Sequence, residues 1–397
     1  MIKNLNKILL ILAVLSFPFL NGCQNNLTDQ GIEFISSDTL GTLLLDSQID
    51  SLNITSNSFV KYINTASSKS MFIGKYGNYE SKVLLKFTSV PSNYSPDSST
   101  ILSAKLNLRY NKTFYEDSTG FISFNVYKIL NSYDLKTVTY DKFNASHIGT
   151  DVIGTFSGAL TDTNRFSVTL DNQTIKDWFK YAYDTNYTNK NYGIALVANS
   201  SSTTIKGLYS ANHSDSLLVP VVTVVFMNNP SGRIDTINLN YTDFTTLSYI
   251  PTVSTIPGRM VIQNGVAIKD IMHFDISKLP GKVVINQATL ELKIDYANSF
   301  ISKGVDKRYA AFMLTSDSLT NDGSTYYSYV KDGDTSAYTV YLTYALQKWN
   351  YGLSTNFGIQ IQNSAEYLNL DRYVFYGPDY SDVSKRPRLR IRYSIRR

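Results

Sequence analysis

The sequence predicts an all-β fold of two tandem β-sandwich, jelly-roll-like domains, each with one short helix. Three observations carry this expectation. A series of strand patterns occurs twice in the same order, and Gly, Pro, Asn and Ser bound the segments. Composition points the same way: Ser, Thr, Asn and 30 Tyr are plentiful while Glu is scarce, a bias toward strands and turns. With 43% hydrophobic residues, the chain can bury a core in each domain.

The elements can be justified in order. In the first copy Phe72-Ile73-Gly74 precedes the apolar run Val83-Leu84-Leu85-Lys86-Phe87, then Val90-Pro91, then Ile101-Leu102-Ser103-Ala104-Lys105-Leu106-Asn107-Leu108. In the second copy Val261-Ile262 and Gly265 precede Asp270-Ile271-Met272-His273-Phe274, then Leu279-Pro280, then Ile285-Asn286-Gln287-Ala288-Thr289-Leu290-Glu291-Leu292. Further on, Phe166–Leu170 matches Tyr338–Leu342, and Asn191-Tyr192-Gly193-Ile194 matches Asn356-Phe357-Gly358-Ile359. Alternating segments read as half-buried strands and short apolar runs as buried ones. Ile175 with Trp178 and Leu346 with Trp349 are exceptions, because a spacing of three puts each pair on one helix face. Each helix is expected to lay its tryptophan over one end of a core. Pro220 and Pro387 precede the last strand of each copy, and the join falls near Asn228–Gly232. The expected domains are therefore 41–228 and 233–397.

Residues 1–22 read as a signal: Lys3 and Lys7, then an apolar run from Ile8 to Leu20 that is too short to span a bilayer. The signal ends in Leu20-Asn21-Gly22-Cys23, which resembles the lipobox of bacterial lipoproteins. That resemblance implies acylation of Cys23, residues 23–40 as a tether, and a place in the cell envelope, expected at the outer membrane. Cys23 is the only cysteine, so disulfide and thiolate-metal chemistry lack a second thiol.

The excess of positive charge is confined to one end. Lys385 to Arg397 holds seven Lys and Arg and no acid, while the rest of the mature chain has 28 basic against 32 acidic residues. Export and a non-basic body argue against nucleic-acid binding. The order of matched segments, ending in Arg386-Pro387-Arg388-Leu389-Arg390-Ile391-Arg392-Tyr393, resembles the disaggregatase-related (DNRLRE) repeat domain. That group is similar to a carbohydrate-binding module family with alginate-binding members. The resemblance implies binding of an anionic polysaccharide. Tyrosines replace the family's tryptophans in Tyr133–Tyr140, and the second copy has no clear equivalent of that stretch.

Catalytic motifs are absent: His147, His213 and His273 stand in no HExxH context, no GxSxG occurs, and a phosphate loop is missing. His273, within a strand beside Phe274, reads as structural. The terminal strand offers the clearest chemistry. Leu389, Ile391 and Tyr393 should face the core, leaving Arg388, Arg390 and Arg392 as a ladder roughly 6–7 Å apart on the other face. Guanidinium groups pair bidentately with carboxylates, which suits a uronic-acid chain. The same alternation also fits an edge strand charged against aggregation. The matching residues of the first copy, Val221, Thr223 and Val225, are mostly apolar. Tyr326, Tyr327 and Tyr329 form the densest aromatic group for sugar stacking. Asp322, Asp332 and Asp334 on Gly-bearing turns are the candidates for calcium, with turn formation the plainer account. The expected function is non-catalytic binding of an anionic polysaccharide by an enveloped-anchored lipoprotein. The alternative is a structural or adhesive surface protein acting through protein contacts.

Overall fold

In the computed structural model, residues 41–92, 94–162, 165–253, 256–302 and 308–395 are described, with the backbone alone at 241 and 242. Cys23 and the signal lie outside the described residues. Among the described residues the chain is all-β with two α-helices. No helix among the described residues is long and apolar enough to cross a membrane.

In chain order the strands begin with β1 (Thr42–Asp46), β2 (Ile54–Val60), β3 (Ser70–Tyr76), β4 (Tyr79–Phe87), β5 (Ser99–Tyr115) and β6 (Phe121–Ile129). They continue with β7 (Ile148–Ala159), β8 (Arg165–Thr169), helix α1 (Asn172–Tyr183), β9 (Ile194–Ala198), β10 (Ile205–Tyr209), β11 (Val221–Asn228) and β12 (Arg233–Tyr249). The second half holds β13 (Arg259–Gln263), β14 (Ile268–Phe274), β15 (Val284–Lys293), β16 (Tyr309–Leu314), β17 (Asn321–Tyr327) and β18 (Tyr329–Lys331). It ends with β19 (Asp334–Tyr341), helix α2 (Thr343–Asn350), β20 (Ile359–Asn363), β21 (Arg372–Tyr376) and β22 (Arg388–Ser394).

Strand pairing repeats between the halves. β4 pairs with β9 as β14 pairs with β20, with Leu84 opposite Ala195 and Ile271 opposite Gln360. β5 pairs with β11 as β15 pairs with β22, with Ala104 opposite Val224 and Ala288 opposite Ile391. β5 also takes β8 as β15 takes β19, and β6 lies between β7 and β9 as β16 lies between β17 and β20. All pairings among the described strands are antiparallel. In sandwich one the 17-residue strands β5 and β12 run through both layers. Register shifts at Lys206/Leu208 on β10, opposite β5, and at Tyr241/Asp243 on β12 accompany the bend, as bulges do at sheet corners.

The pairing moves the domain limits expected from the sequence. β1 pairs with β22 and β2 with β14, so residues 42–60 complete sandwich two. β12 pairs with β11 and β4, so residues 233–249 complete sandwich one. Sandwich two is thus discontinuous in sequence. Alternation shows which side of a strand is apolar but not which strand lies beside it, so Leu45 and Leu52 gave no sign that they enter the distant core.

Each core closes around its tryptophan. Ile175, Trp178 and Phe179 of α1 are buried, with Trp178 stacked 6.0 Å from Phe87. Ala345, Leu346 and Trp349 of α2 are buried in the second core. The Asp171 carboxylate caps α1 by accepting the Thr174 N–H at 2.8 Å. The repeated Asn-aromatic-Gly-Ile motif is a backbone lock. Asn191 Nδ2 donates to the Phe87 carbonyl at 2.8 Å while its Oδ1 accepts the Gly193 N–H at 3.0 Å. Asn356 does the same with the Phe274 carbonyl at 2.9 Å and the Gly358 N–H at 3.1 Å. Both glycines have positive φ, and a Cβ on Gly193 would lie 2.3 Å from the Leu85 carbonyl oxygen.

The sandwiches meet through a third apolar cluster built from Phe72, Tyr79, Tyr115 and Ile205 of one and Val266, Ile268 and Leu370 of the other. Arg372 crosses this boundary, reaching Glu116 at 2.7 Å and the Tyr115 hydroxyl at 2.9 Å.

Candidate functional site

The outer face of the sheet β1-β22-β15-β19-β18 carries the candidate site, a shallow open groove of about 460 Å³. Leu389, Ile391 and Tyr393 point into the core, which turns Arg388, Arg390 and Arg392 outward as the alternation requires. β22 lies between β1 and β15, however, so the reading of it as a charged edge strand is corrected: residues 42–46 cover that edge.

The three arginines are not equivalent. Arg388 Nε lies 3.0 Å from both carboxylate oxygens of Asp46, and its Nη2 lies 2.6 Å from Oδ2. Asp46 is fully buried. Burial alone would raise its carboxyl, but the Arg388 hydrogen bonds, the Gln48 N–H and the nearby arginine charges outweigh it and hold the group below the usual carboxylate range. Arg390 Nη2 lies 3.4 Å from Glu291, a buried carboxylate that Lys331 also approaches at 2.8 Å. Arg392 is exposed and has no ion pair among the described residues. One arginine is held, one is shared, and one is open.

The tyrosines expected to form one platform divide between surfaces. Tyr329 lines the groove, its ring 5.4 Å from Tyr341, and burial with the Tyr341 hydroxyl pushes its phenol up to about 12, so it stays neutral. Tyr327 is exposed on β17, in the other sheet, under the Arg308 guanidinium. Tyr326 packs against the second core. The switch occurs at buried Ser328, whose hydroxyl accepts the Tyr309 N–H at 2.9 Å.

Two of the three candidate calcium ligands are engaged elsewhere. Asp322 meets Lys348 at 3.3 Å and accepts the Ser324 N–H, while Asp334 accepts from Ser336 and lies 3.8 Å from Lys293. Asp332 is exposed at the β18–β19 turn, where Gly333 has positive φ. No group of three or more His, Cys, Asp or Glu side chains converges among the described residues. His273 is exposed on β14.

In sandwich one the equivalent face is polar in its middle, with Thr223 bonded between Asn107 at 3.0 Å and Asn238 at 2.8 Å. Sequence reasoning missed Asp46, Glu291, Lys331 and Tyr341. Glu291 left a signal: it is one of five Glu in the chain and alternates with Leu290 and Leu292 on a strand. It also missed a polar depression of about 290 Å³ beside α1, where the buried Asp177 carboxylate gathers Gln173, Tyr187, Asn189 and Lys128.

Neither a family model nor a curated protein matches this chain.

Proposed function

We propose that this chain is a non-catalytic binding protein of the cell envelope, held at the membrane through Cys23, whose second sandwich binds an anionic polysaccharide across its arginine-bearing face. One observation carries the reading: the Arg392 guanidinium, which has no ion pair among the described residues, shares an open groove with the Tyr329–Tyr341 ring pair. A carboxylate can pair with the guanidinium while a sugar face packs on an exposed ring. The groove is long and shallow across five strands, which suits a polymer lying along a surface better than an enclosed small molecule. Its buried carboxylates, Asp46 and Glu291, are tied to cations, a poor arrangement for general acid catalysis.

The test is retention of the mature protein on gels containing uronic-acid polysaccharides or a neutral glucan, at low and high salt. Retention on the uronan alone, weakened by salt and by Arg392→Ala, is expected. Failure to be retarded by any uronan at low salt removes the proposal. A structural or adhesive role is the second reading, favoured by the way the two sandwiches share strands. A stable protein partner with no glycan retention supports it.

A further inference from the structure

The other sheet of sandwich two holds a polar cluster that the groove does not use. β14 and β20 pair so that Asp270 lies opposite Ile361 and Ile271 opposite Gln360. Ile359 and Ile361 enter the core, so Gln360 and Gln362 turn to the opposite face, where the same alternation brings Lys269 beside them. Lys269 and Gln360 are buried there, as is Glu366 from the segment that follows β20.

Three side chains converge on the Gln362 carboxamide. Lys269 Nζ lies 2.7 Å from Gln362 Oε1 and 3.0 Å from Glu366 Oε2. The same Glu366 oxygen accepts from Gln362 Nε2 at 3.0 Å. Gln360 Nε2 donates to Gln362 Oε1 at 2.7 Å. An amine therefore stands at a carbonyl, one carboxyl oxygen bridges that amine and the carboxamide nitrogen, and a second amide supports the carbonyl oxygen. Glu366 Oε1 is buried with no hydrogen-bond partner among the described residues, which disfavours the charged carboxylate. Burial lowers the Lys269 ammonium and raises the Glu366 carboxyl. Both directions move a proton from nitrogen to oxygen and leave the amine nucleophilic.

Nucleophile, proton carrier and oxyanion donor on one amide are the parts of an acyl transfer. We propose that Lys269 and Gln362 join in an isopeptide bond between β14 and β20, formed within the folded chain with release of ammonia. Glu366 takes a proton from the Lys269 ammonium, and the free amine adds to Gln362 Cδ. Charge then rests on Oε1, beside the Gln360 amide. Glu366 gives a proton to Nε2 and takes one from the attacking nitrogen, the Cδ–Nε2 bond breaks, and ammonia leaves. An amide between Cδ and Nζ remains, with Glu366 protonated.

Sandwich one supplies a comparison. Val83 lies opposite Leu196 as Asp270 lies opposite Ile361, so Lys82 and Val197 occupy the places of Lys269 and Gln362. Lys82 Nζ sits over the Tyr140 ring, 4.5 Å from its centroid, and Val197 offers no side-chain carbonyl to attack.

The test is a tryptic map of the mature protein, purified folded and denatured before digestion. Trypsin cuts after Lys and Arg, so an unlinked chain ends one peptide at Lys269 and releases residues 349–372 separately. A linked chain resists cleavage after Lys269 and yields residues 260–278 attached to residues 349–372, lighter than the two together by one ammonia. That branched peptide is expected, with fragmentation placing the bond at Lys269 and Gln362 and with Lys82 cut as usual. Glu366→Gln keeps a hydrogen-bonding side chain but cannot carry the proton, and it should leave the two peptides separate, as should Lys269→Arg. Complete cleavage after Lys269 with free 349–372 in the unsubstituted protein overturns the proposal and leaves an ordinary buried ion pair. Undiminished linkage in Glu366→Gln overturns the part given to the carboxyl. The map of the unsubstituted protein decides the bond even where neither variant folds.

Discussion

Asp270 gives the sharpest quantitative prediction. It occupies a core-facing position on β14 whose counterpart in sandwich one is Val83, and it is fully buried. Desolvation pushes its carboxyl from 3.8 up to about 7, offset only in part by the Ser58 hydroxyl, which donates to Oδ2 at 2.7 Å, and by the Asn57 backbone. Between those values the folded protein holds a proton that the unfolded chain releases, so stability falls as pH rises through this window and levels off above it. The full shift corresponds to about 4 kcal/mol, of which about 2–3 kcal/mol is lost between pH 5 and pH 8. Asp270→Asn removes this titration. The assay is denaturant unfolding followed by fluorescence of Trp349 in a Trp178→Phe background, so that the signal comes from sandwich two alone. Lys269, Glu366 and Asp371 are also perturbed by burial, so the difference between the two pH profiles isolates Asp270. The variant should lose about 2–3 kcal/mol less than its parent over that range. Identical pH slopes in the two proteins would refute the reasoning.

Three further outcomes follow from the contacts. Arg388→Ala strands buried Asp46, and with the arginine about a third exposed the loss should be about 2–3 kcal/mol, between surface-pair and buried-pair values. Arg392→Ala should stay within about 0.5 kcal/mol of the parent in the same denaturation assay, because no described residue depends on it for an ion pair. Asn356→Ala removes the partner of the Phe274 carbonyl and of the Gly358 N–H together, and should lower the Trp349-monitored stability by about 1–3 kcal/mol.

What could be read from the sequence was whatever a residue states locally. Period-two alternation oriented β22 correctly, because Leu389 and Ile391 must leave water whatever lies beside them. Spacing of three put Ile175 with Trp178, and Leu346 with Trp349, on helix faces that are buried. The Asn-aromatic-Gly repeat was visible as a pattern, although its purpose, one amide side chain satisfying a carbonyl on a strand about 80 to 100 positions away, was not. The partner of each strand was illegible for the same reason. Asp46 and Arg388 are separated by 342 positions, and only the folded chain makes them a pair.

That pairing changes the meaning of the arginine ladder. Three identical side chains at alternate positions look like a repeated unit, yet only the surroundings of each decide what it can do. Arg388 ties down the arriving N-terminal strand, and Arg390 shares the buried charge of Glu291 with Lys331. Arg392 is exposed and has no ion pair among the described residues. The rung that holds the N-terminal strand and the rung left open in the groove are thereby different residues of one strand. Substituting Arg392 should change retention on a charged polymer while leaving the sandwich standing, whereas substituting Arg388 should loosen the strand on which the groove depends. A ladder serving only solubility would show no such division between its rungs.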